Sequence, residues 1–450
     1  MSDTSTLCYH LAYAISTLTF YHMPMSDVTA PPERDRPYDL LLQSGTTAAG
    51  DRVDIGIRDG KIAAIARMLR GATNATLALD GRVVLPGFVE SHTHLDKALS
   101  APPARNRSGT LYEAIEVIGR IFRTQTVETI RARALRTAEM FLTAGATTVR
   151  THVDVHEEIG LKGLEAMLSV REAMRGRLDL QIVTLSAQLA GQEGARSREL
   201  YEEAARMGID AVGGAPALDG DPRGQIDHVF ELAMRHDLDI DLHMDESDDP
   251  RDFYLPYLAE RTIAAGYQGR VVAGHCCALS AADDTLAAAT IEAVREARIA
   301  VVTLPSCNLY LQGRGDRGTI RRGLTRVREL QAAGVTLCCG SDNIQDPFNP
   351  FGRGDLLLVA NLFAHAAHLG SPDEQALALA SITGTAAATL RLTGYGLAPG
   401  CAADLVVLDC TDPATLLAMV PPRRYVIKGG RVVAETRTTT TLPPLVAAPA

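Results

Sequence analysis

The sequence predicts an α/β chain, a (β/α)8 barrel of the TIM type carrying a small β-sandwich built from both ends of the polypeptide. Three observations predict it. Eight short apolar runs alternate with helical periods, and from the second onward they recur about every thirty residues, the length of a βαβ unit. Two β-rich stretches with tight-turn dipeptides flank this middle. Histidines and an aspartate stand where several of the eight runs stop, the end of a barrel at which chemistry is placed.

Residues 1–36 read as an extension. The first basic residue is Arg34, and Tyr, His, Ser and Thr interrupt the uncharged run over 6–25, which argues against a signal peptide or a membrane span. Poor order is expected there. Residues 37–86 hold strand-like runs at 38–42, 54–58 and 61–65, with turn signals at Asp59-Gly60 and Asp80-Gly81. Matching runs at 403–408, 424–428 and 431–434, the last two separated by Gly429-Gly430, place the other half of the sandwich in 393–436. A Thr- and Pro-rich tail, 437–450, is expected to be loose.

The barrel is expected over 87–392. Its opening strand is the apolar run Val83 to Val89, bent at Pro86-Gly87 and leading into His92 and His94. The later strands are expected at 147–153, 179–185, 210–214, 238–243, 269–275, 297–304 and 334–342. Helical periods fill 161–174, 198–207, 225–235, 285–296 and 325–333. Short apolar strands of this kind imply a parallel sheet covered by helices.

Composition narrows the function. Hydrophobic residues make up 46 % and charged residues 22 % of the chain, as in an ordinary globular enzyme. With a net charge of −10 and no Lys/Arg-rich run, there is no electrostatic case for a nucleic-acid partner. The eight cysteines show no Cys-x-x-Cys spacing and fall mostly in apolar runs, so they read as small core residues in a reducing cytosol.

The strand ends carry the chemistry. His92 and His94, two apart on an extended backbone, point the same way. His243 ends the fifth strand, His275 the sixth and Asp342 the eighth. Three imidazoles and a carboxylate around an open position suit a catalytic metal ion, which lowers the pKa of water toward neutrality. Asp342 can serve as ligand and proton acceptor together. Glu246 is placed to shuttle a proton to a departing nitrogen, and His275 can hold or polarise the water. Each has a duller reading: a hydrogen-bonded core histidine, a turn aspartate, a solvated glutamate in the acidic run 245–249. Their joint placement at matching strand ends favours the site. His152 and Asp154, ending strand two, read as support for it. Arg150 and Arg314 read as loop-holding residues, and His156, His228, His236, His365 and His368 as surface or packing residues.

The segments Pro86-Gly-Phe-Val-Glu-Ser-His-Thr-His-Leu-Asp96, Val149-Arg-Thr-His-Val-Asp-Val155, His243-Met-Asp-Glu246, Asn308-Leu-Tyr-Leu-Gln-Gly-Arg314 and Ser341-Asp-Asn-Ile-Gln-Asp-Pro-Phe348 occur in this order. With them the chain resembles the amidohydrolase superfamily, and within it the cytosine deaminase branch. The resemblance implies one divalent ion, Zn2+ or Fe2+, on His92, His94, His243 and Asp342. It also implies Glu246 as proton shuttle and His275 as partner of the hydrolytic water. Many relatives hold a second metal through a lysine at the end of strand four; 211–216 here contains none, so a mononuclear site is expected.

Substrate recognition departs from the pattern. The glutamine that pairs with the pyrimidine edge in cytosine deaminases is shifted by one residue to Gln188, with Gln192 as competitor. Asn343 replaces the second carboxylate after the metal aspartate, and an amide both donates and accepts. Asp96-Lys97 and 341–344 resemble the isopropylammelide amidohydrolases; Lys97 is expected to pair with a neighbouring carboxylate. The expected activity is hydrolytic deamination of cytosine or a related aminopyrimidine or aminotriazine. An N-alkyl aminohydrolase of triazine-like rings and a non-catalytic scaffold are the rivals. A cytoplasmic homo-oligomer is expected, acting on a small-molecule heterocycle without nucleic-acid or membrane partners.

Overall fold

The computed structural model describes residues 36–101 and 105–442. The expectations for 1–35 and 443–450 lie outside the described residues. Among the described residues, sixteen strands form three sheets. Antiparallel pairing joins β1 (Leu40–Thr46), β2 (Arg52–Arg58) and β3 (Lys61–Ala66), and β4 (Thr76–Ala78) adds parallel to β1. A second sheet joins β5 (Val84–Pro86) to β14 (Leu405–Leu408), β15 (Arg423–Lys428) and β16 (Arg431–Glu435). Leu42, Ile55, Ile57 and Val84 meet Leu405, Val407 and Ile427 in one buried cluster between these sheets, which makes them a sandwich of the two chain ends. Its hairpins turn as their residues dictate. Asp59-Gly60 and Gly429-Gly430 have positive φ throughout and connect strands paired at Arg58–Lys61 and Lys428–Arg431.

The third sheet is parallel, with eight strands in sequential order. They are β6 (Phe88–Thr93), β7 (Ala146–Asp154), β8 (Asp179–Leu185), β9 (Ala211–Val212), β10 (Asp239–Met244), β11 (Val271–His275), β12 (Ala300–Thr303) and β13 (Leu337–Cys339). A parallel bridge from Thr93 to Asp342 brings the first strand against the last, so the sheet closes into a barrel. The expected helices recur at Lys162–Ala173, Ala195–Met207, Pro222–His236, Asp284–Glu296 and Val327–Ala332. Two more, Leu111–Phe122 and Val127–Thr143, fill the long connection between β6 and β7.

Three strands differ from the sequence reading; the eighth, expected over 334–342, is Leu337–Cys339, so Asp342 lies beyond its end. The run from Val83 to Val89 is two strands, because the bend at Gly87 passes it from the sandwich to the barrel. A Cβ at Gly87 would lie 2.3 Å from the Thr147 side chain, so only glycine lets the chain cross so closely. Strand four shrinks to Ala211–Val212. The chain beyond it is two glycines; a Cβ on Gly213 would meet the Thr184 carbonyl oxygen at 2.4 Å. The five cysteines at 276, 277, 307, 338 and 339 are buried and free, as core residues are. No helix among the described residues is long and apolar enough to cross a membrane.

Candidate metal centre

The C-terminal ends of the barrel strands bring together the side chains that the sequence marks. His92 comes from β6 and His94 from the residue just past its end, His243 from β10, and Asp342 lies three residues beyond β13. His243 Nε2 is 3.2 Å from both His92 Nε2 and His94 Nε2. Asp342 Oδ1 is 3.2 Å from His94 Nε2 and 3.8 Å from His92 Nε2. All four residues are buried. Donors bound at about 2.0–2.1 Å to one ion lie roughly 3–4 Å from one another, so these atoms fit one coordination sphere.

The electrostatics agree with that use. Burial, reinforced by neighbouring cationic groups, holds the His92 and His243 imidazoles well below 6.5, and burial lowers His94. They are therefore neutral, with lone pairs to offer. Burial alone would raise Asp342. The His94 hydrogen bond and the adjacent imidazoles outweigh it and keep this carboxylate below 3.8. Such a donor set, drawn from four points in the chain, suits a divalent cation.

The backbone fixes these positions. Asp342 N donates to the His92 carbonyl at 2.8 Å, and Thr93 Oγ1 donates to the Asp342 carbonyl at 2.7 Å. Beneath them the fully buried Glu90 accepts from His92 N at 2.9 Å and from Ser341 N at 3.1 Å. Burial pushes its carboxyl up to about 8. Asp245, His275 and Asp342 all have positive φ, a strained conformation that is concentrated at functional sites.

Glu246 and His275 stand beside the cage. Glu246 Oε1 is 3.5 Å from His275 Nδ1, and Asn308 Nδ2 lies 3.1 Å from the same nitrogen. With Asn308 donating, the neutral ring carries its proton on Nε2. Burial brings His275 down to about 4, so it stays neutral through the physiological range. Burial first, and the Asp342 charge second, hold the Glu246 carboxyl well above 4.5 against the opposing Lys97 charge. A carboxyl kept protonated next to a metal cage is a proton donor in waiting.

Further down the barrel, Arg150 Nη1 pairs with Asp241 at 2.9 Å, and Arg150 Nε donates to Gln181 at 2.9 Å. Asp241 Oδ1 is 3.6 Å from His152 Nε2, and the His152 ring lies 4.0 Å from the His92 ring. Although His92, His152 and Asp241 could also converge on a cation, the guanidinium beside Asp241 already supplies the charge there. Asp154 forms an ion pair with the buried Lys97. Burial opposes the Lys97 charge, but Asp154 and Asp96 together raise its pKa.

A cavity of about 330 Å3 opens onto the cage; Lys97, Gln188, Glu246, Asp342 and Asn343 are among its lining residues. Gln188 is exposed into this space, whereas Gln192 is not part of its wall. Asn343 reaches the cavity with its amide already engaged: Nδ2 donates to Asp346 at 2.6 Å and Oδ1 accepts from Cys307 Sγ at 3.8 Å. His156, read as a surface or packing residue, is half-buried in the cavity wall and packs against Phe122. Arg314 holds the Ser108 carbonyl and so a neighbouring loop. Sequence reasoning passed over Glu90, Asp241 and Asn308. The first two were detectable as lone carboxylates inside apolar strands, where an unpartnered charge is too costly to be idle.

Comparison with known proteins agrees with this geometry. Residues 114–434 match the amidohydrolase family. The chain is 30 % identical over 409 residues to N-isopropylammelide isopropyl amidohydrolase of Pseudomonas sp. (strain ADP), covering 89 % of this chain and 98 % of that protein. It is 32 % identical over 389 residues to pterin deaminase of Rhizobium rhizogenes, covering 85 % and 88 %. The crystal structure of 5-methylcytosine deaminase from Klebsiella pneumoniae, liganded with 5-fluorocytosine, superposes with a TM-score of 0.84 at 32 % identity, over 90 % of this chain and 99 % of that one. The family match, spanning most of the barrel and the closing sandwich strands, joins the donor cage in one conclusion: the chain belongs to the amidohydrolase family of carbon–nitrogen hydrolases.

Proposed function

We propose that the protein is a metal-dependent aminohydrolase. It would replace the exocyclic amino group of a small nitrogen heterocycle, cytosine or a related aminopyrimidine or aminotriazine, by oxygen and release ammonia. The observation that carries this reading is the convergence of three imidazoles and one carboxylate beside Glu246, on one cavity.

His92, His94, His243 and Asp342 would hold one divalent ion, zinc or iron. When bound, such an ion supplies Lewis acidity and lowers the pKa of water toward neutrality. The protein's own groups do the rest. Gln188 orients the ring through its amide edge, with Asn343, held by Asp346, completing the polar wall. His275 keeps the attacking water in place by a hydrogen bond, and Asp342 accepts its proton. Water oxygen bonds to the amino-bearing ring carbon while Glu246 gives its proton to the adjacent ring nitrogen. Glu246 then carries the proton from Asp342 to the amine, the carbon–nitrogen bond breaks, ammonia leaves, and the hydroxyl proton of the new carbonyl returns to Glu246.

Similarity to the N-isopropylammelide enzyme supports a second reading, in which the departing group is an alkylamine. Both are tested by a panel of aminopyrimidines, aminopterins and N-alkyl aminotriazines, assayed for ammonia and for amine with metal-stripped and with zinc- or iron-reconstituted protein. Release that depends on added metal is expected. A panel inert with either metal would end the aminohydrolase assignment.

A further inference from the structure

The reaction uses only the polar end of the cavity; another part of the wall is apolar. Leu111, Ile115, Ile118 and Phe122, spaced four, three and four apart on the helix Leu111–Phe122, line it together with Leu185 and Leu218. Ile118 and Phe122 also belong to the barrel core. Leu111, Ile115, Leu185 and Leu218 belong to none of the protein's hydrophobic clusters. Apolar side chains that stand outside the core clusters and line a cavity leading to reactive groups are what the apolar part of a ligand covers. The volume, about 330 Å3, falls in the range of roughly 300–1,000 Å3 that drug-sized ligands fill.

The charge of the wall adds a second constraint. Glu157 and Glu193 line the same cavity, are exposed, and pair with no cation among the described residues. Glu158 beside them is held by Arg123 at 3.0 Å. Among the described residues, the one lysine on the wall, Lys97, is neutralised by Asp154, and no arginine lines the cavity. An approaching anion meets uncompensated negative charge, and a cation is drawn in.

We infer that the substrate is a nitrogen heterocycle bearing an apolar arm, on the ring or on the departing nitrogen, that is neutral or ends in an ammonium group, and that phosphate- or carboxylate-bearing heterocycles are excluded. The ring assignment rests on the aminohydrolase reading; the arm rests on the cavity wall. Calorimetric titration with uracils, which have no amino group to lose, separates the two. The probes carry hydrogen, butyl, aminobutyl or carboxybutyl at N1, C5 or C6, and are titrated into the full-length protein.

At about fourfold per buried methylene, the best butyl probe should bind at least about tenfold tighter than uracil. Aminobutyl should match or exceed butyl, and carboxybutyl should be weaker than butyl by about tenfold. The half-buried pair Leu111→Ala/Ile115→Ala should lose most of the butyl gain, and Glu157→Gln/Glu193→Gln should bring carboxybutyl toward butyl. Equal affinity of uracil and butyl-uracil, or of the butyl and carboxybutyl probes, would overturn the inference, as would no binding by any probe. An arm gain in a protein inert toward the aminated panel would defeat the reaction and leave the arm standing. Turnover without an arm gain would do the reverse.

Discussion

Asp241→Leu is expected to destabilise the protein by about 3–5 kcal/mol, the usual cost of stranding one member of a buried ion pair. The structure gives the reasons. Arg150 and Asp241 are 2 % and 0 % exposed, so neither can turn to water. The guanidinium has one charged partner at 2.9 Å and one neutral partner, Gln181, at 2.9 Å. Without Asp241 a full positive charge would remain inside the barrel with an amide as its only acceptor. Burial raises the Asp241 carboxyl to about 6 in spite of Arg150, so desolvation outweighs the attraction within the pair. Removing both charges in Arg150→Met/Asp241→Leu should therefore cost no more than about 1 kcal/mol, although each single change is severe. Because the chain has no tryptophan, urea unfolding is best followed by far-UV circular dichroism. The single variant should also bind zinc about 10- to 100-fold more weakly, since His152, 3.6 Å from Asp241, packs on His92. A loss under about 1 kcal/mol for Asp241→Leu, or a double variant worse than the single, would refute the argument that this pair is isolated in a low-dielectric interior.

Replacing His243 by Ala removes the donor that is 3.2 Å from both His92 and His94. Metal analysis of the purified variant should then give well under half the ion per chain found in the wild type, with catalysis lost in parallel. Glu246→Gln should keep the ion and lower kcat by about 10²–10⁴, the usual share of a general acid–base; steady-state kinetics beside metal analysis separates the two effects. For pH, Asp346 is the group to change. It is 1 % exposed and pushed up to about 7 by burial, against hydrogen bonds from Asn343, Asn349 and Phe348 and the Lys97 charge. Its folded value lies above its ordinary 3.8, so the folded chain holds the proton more tightly. The stabilisation is complete below about pH 3.8 and is lost as pH rises to about 7, at most about 4 kcal/mol. Asp346→Asn should lose less unfolding free energy than wild type between pH 4 and 7; identical slopes would contradict the assignment.

How far the sequence carried the reading depended on whether the signal was local. Barrel strands and hairpin turns were legible because short apolar runs and pairs such as Asp59-Gly60 are written into adjacent positions. The donors were legible because strand ends are where a parallel barrel places chemistry, so His243 and Asp342, ninety-nine residues apart in number, could be matched by register alone. What stayed hidden was set by tertiary geometry. Nothing near Gly87 announces that the apolar run changes sheets there, since the constraint is Thr147, sixty residues away. His156 looked like one more loop histidine until the helix Leu111–Phe122 brought Phe122 against it. Asn343 was recognisable as a polar neighbour of the site, but its occupation by Asp346 follows from a turn that composition does not encode.

Closure of the barrel and construction of the donor cage use the same atoms. The seam between β6 and β13 is formed where Asp342 N meets the His92 carbonyl and Thr93 Oγ1 meets the Asp342 carbonyl, so two of the four donors belong to residues that lock the sheet shut. Glu90 reinforces the seam from below by accepting from both edges. Gly340 is the position that permits it: a Cβ there would sit 2.7 Å from Glu90 Oε1 and 2.9 Å from the His92 carbonyl oxygen. The positive φ at Asp342 then turns the carboxylate back over the imidazoles, where a continuing strand would carry it away. A site assembled this way has donors held by main-chain bonds of the scaffold, so its geometry is set by folding and asks little rearrangement of an arriving ion.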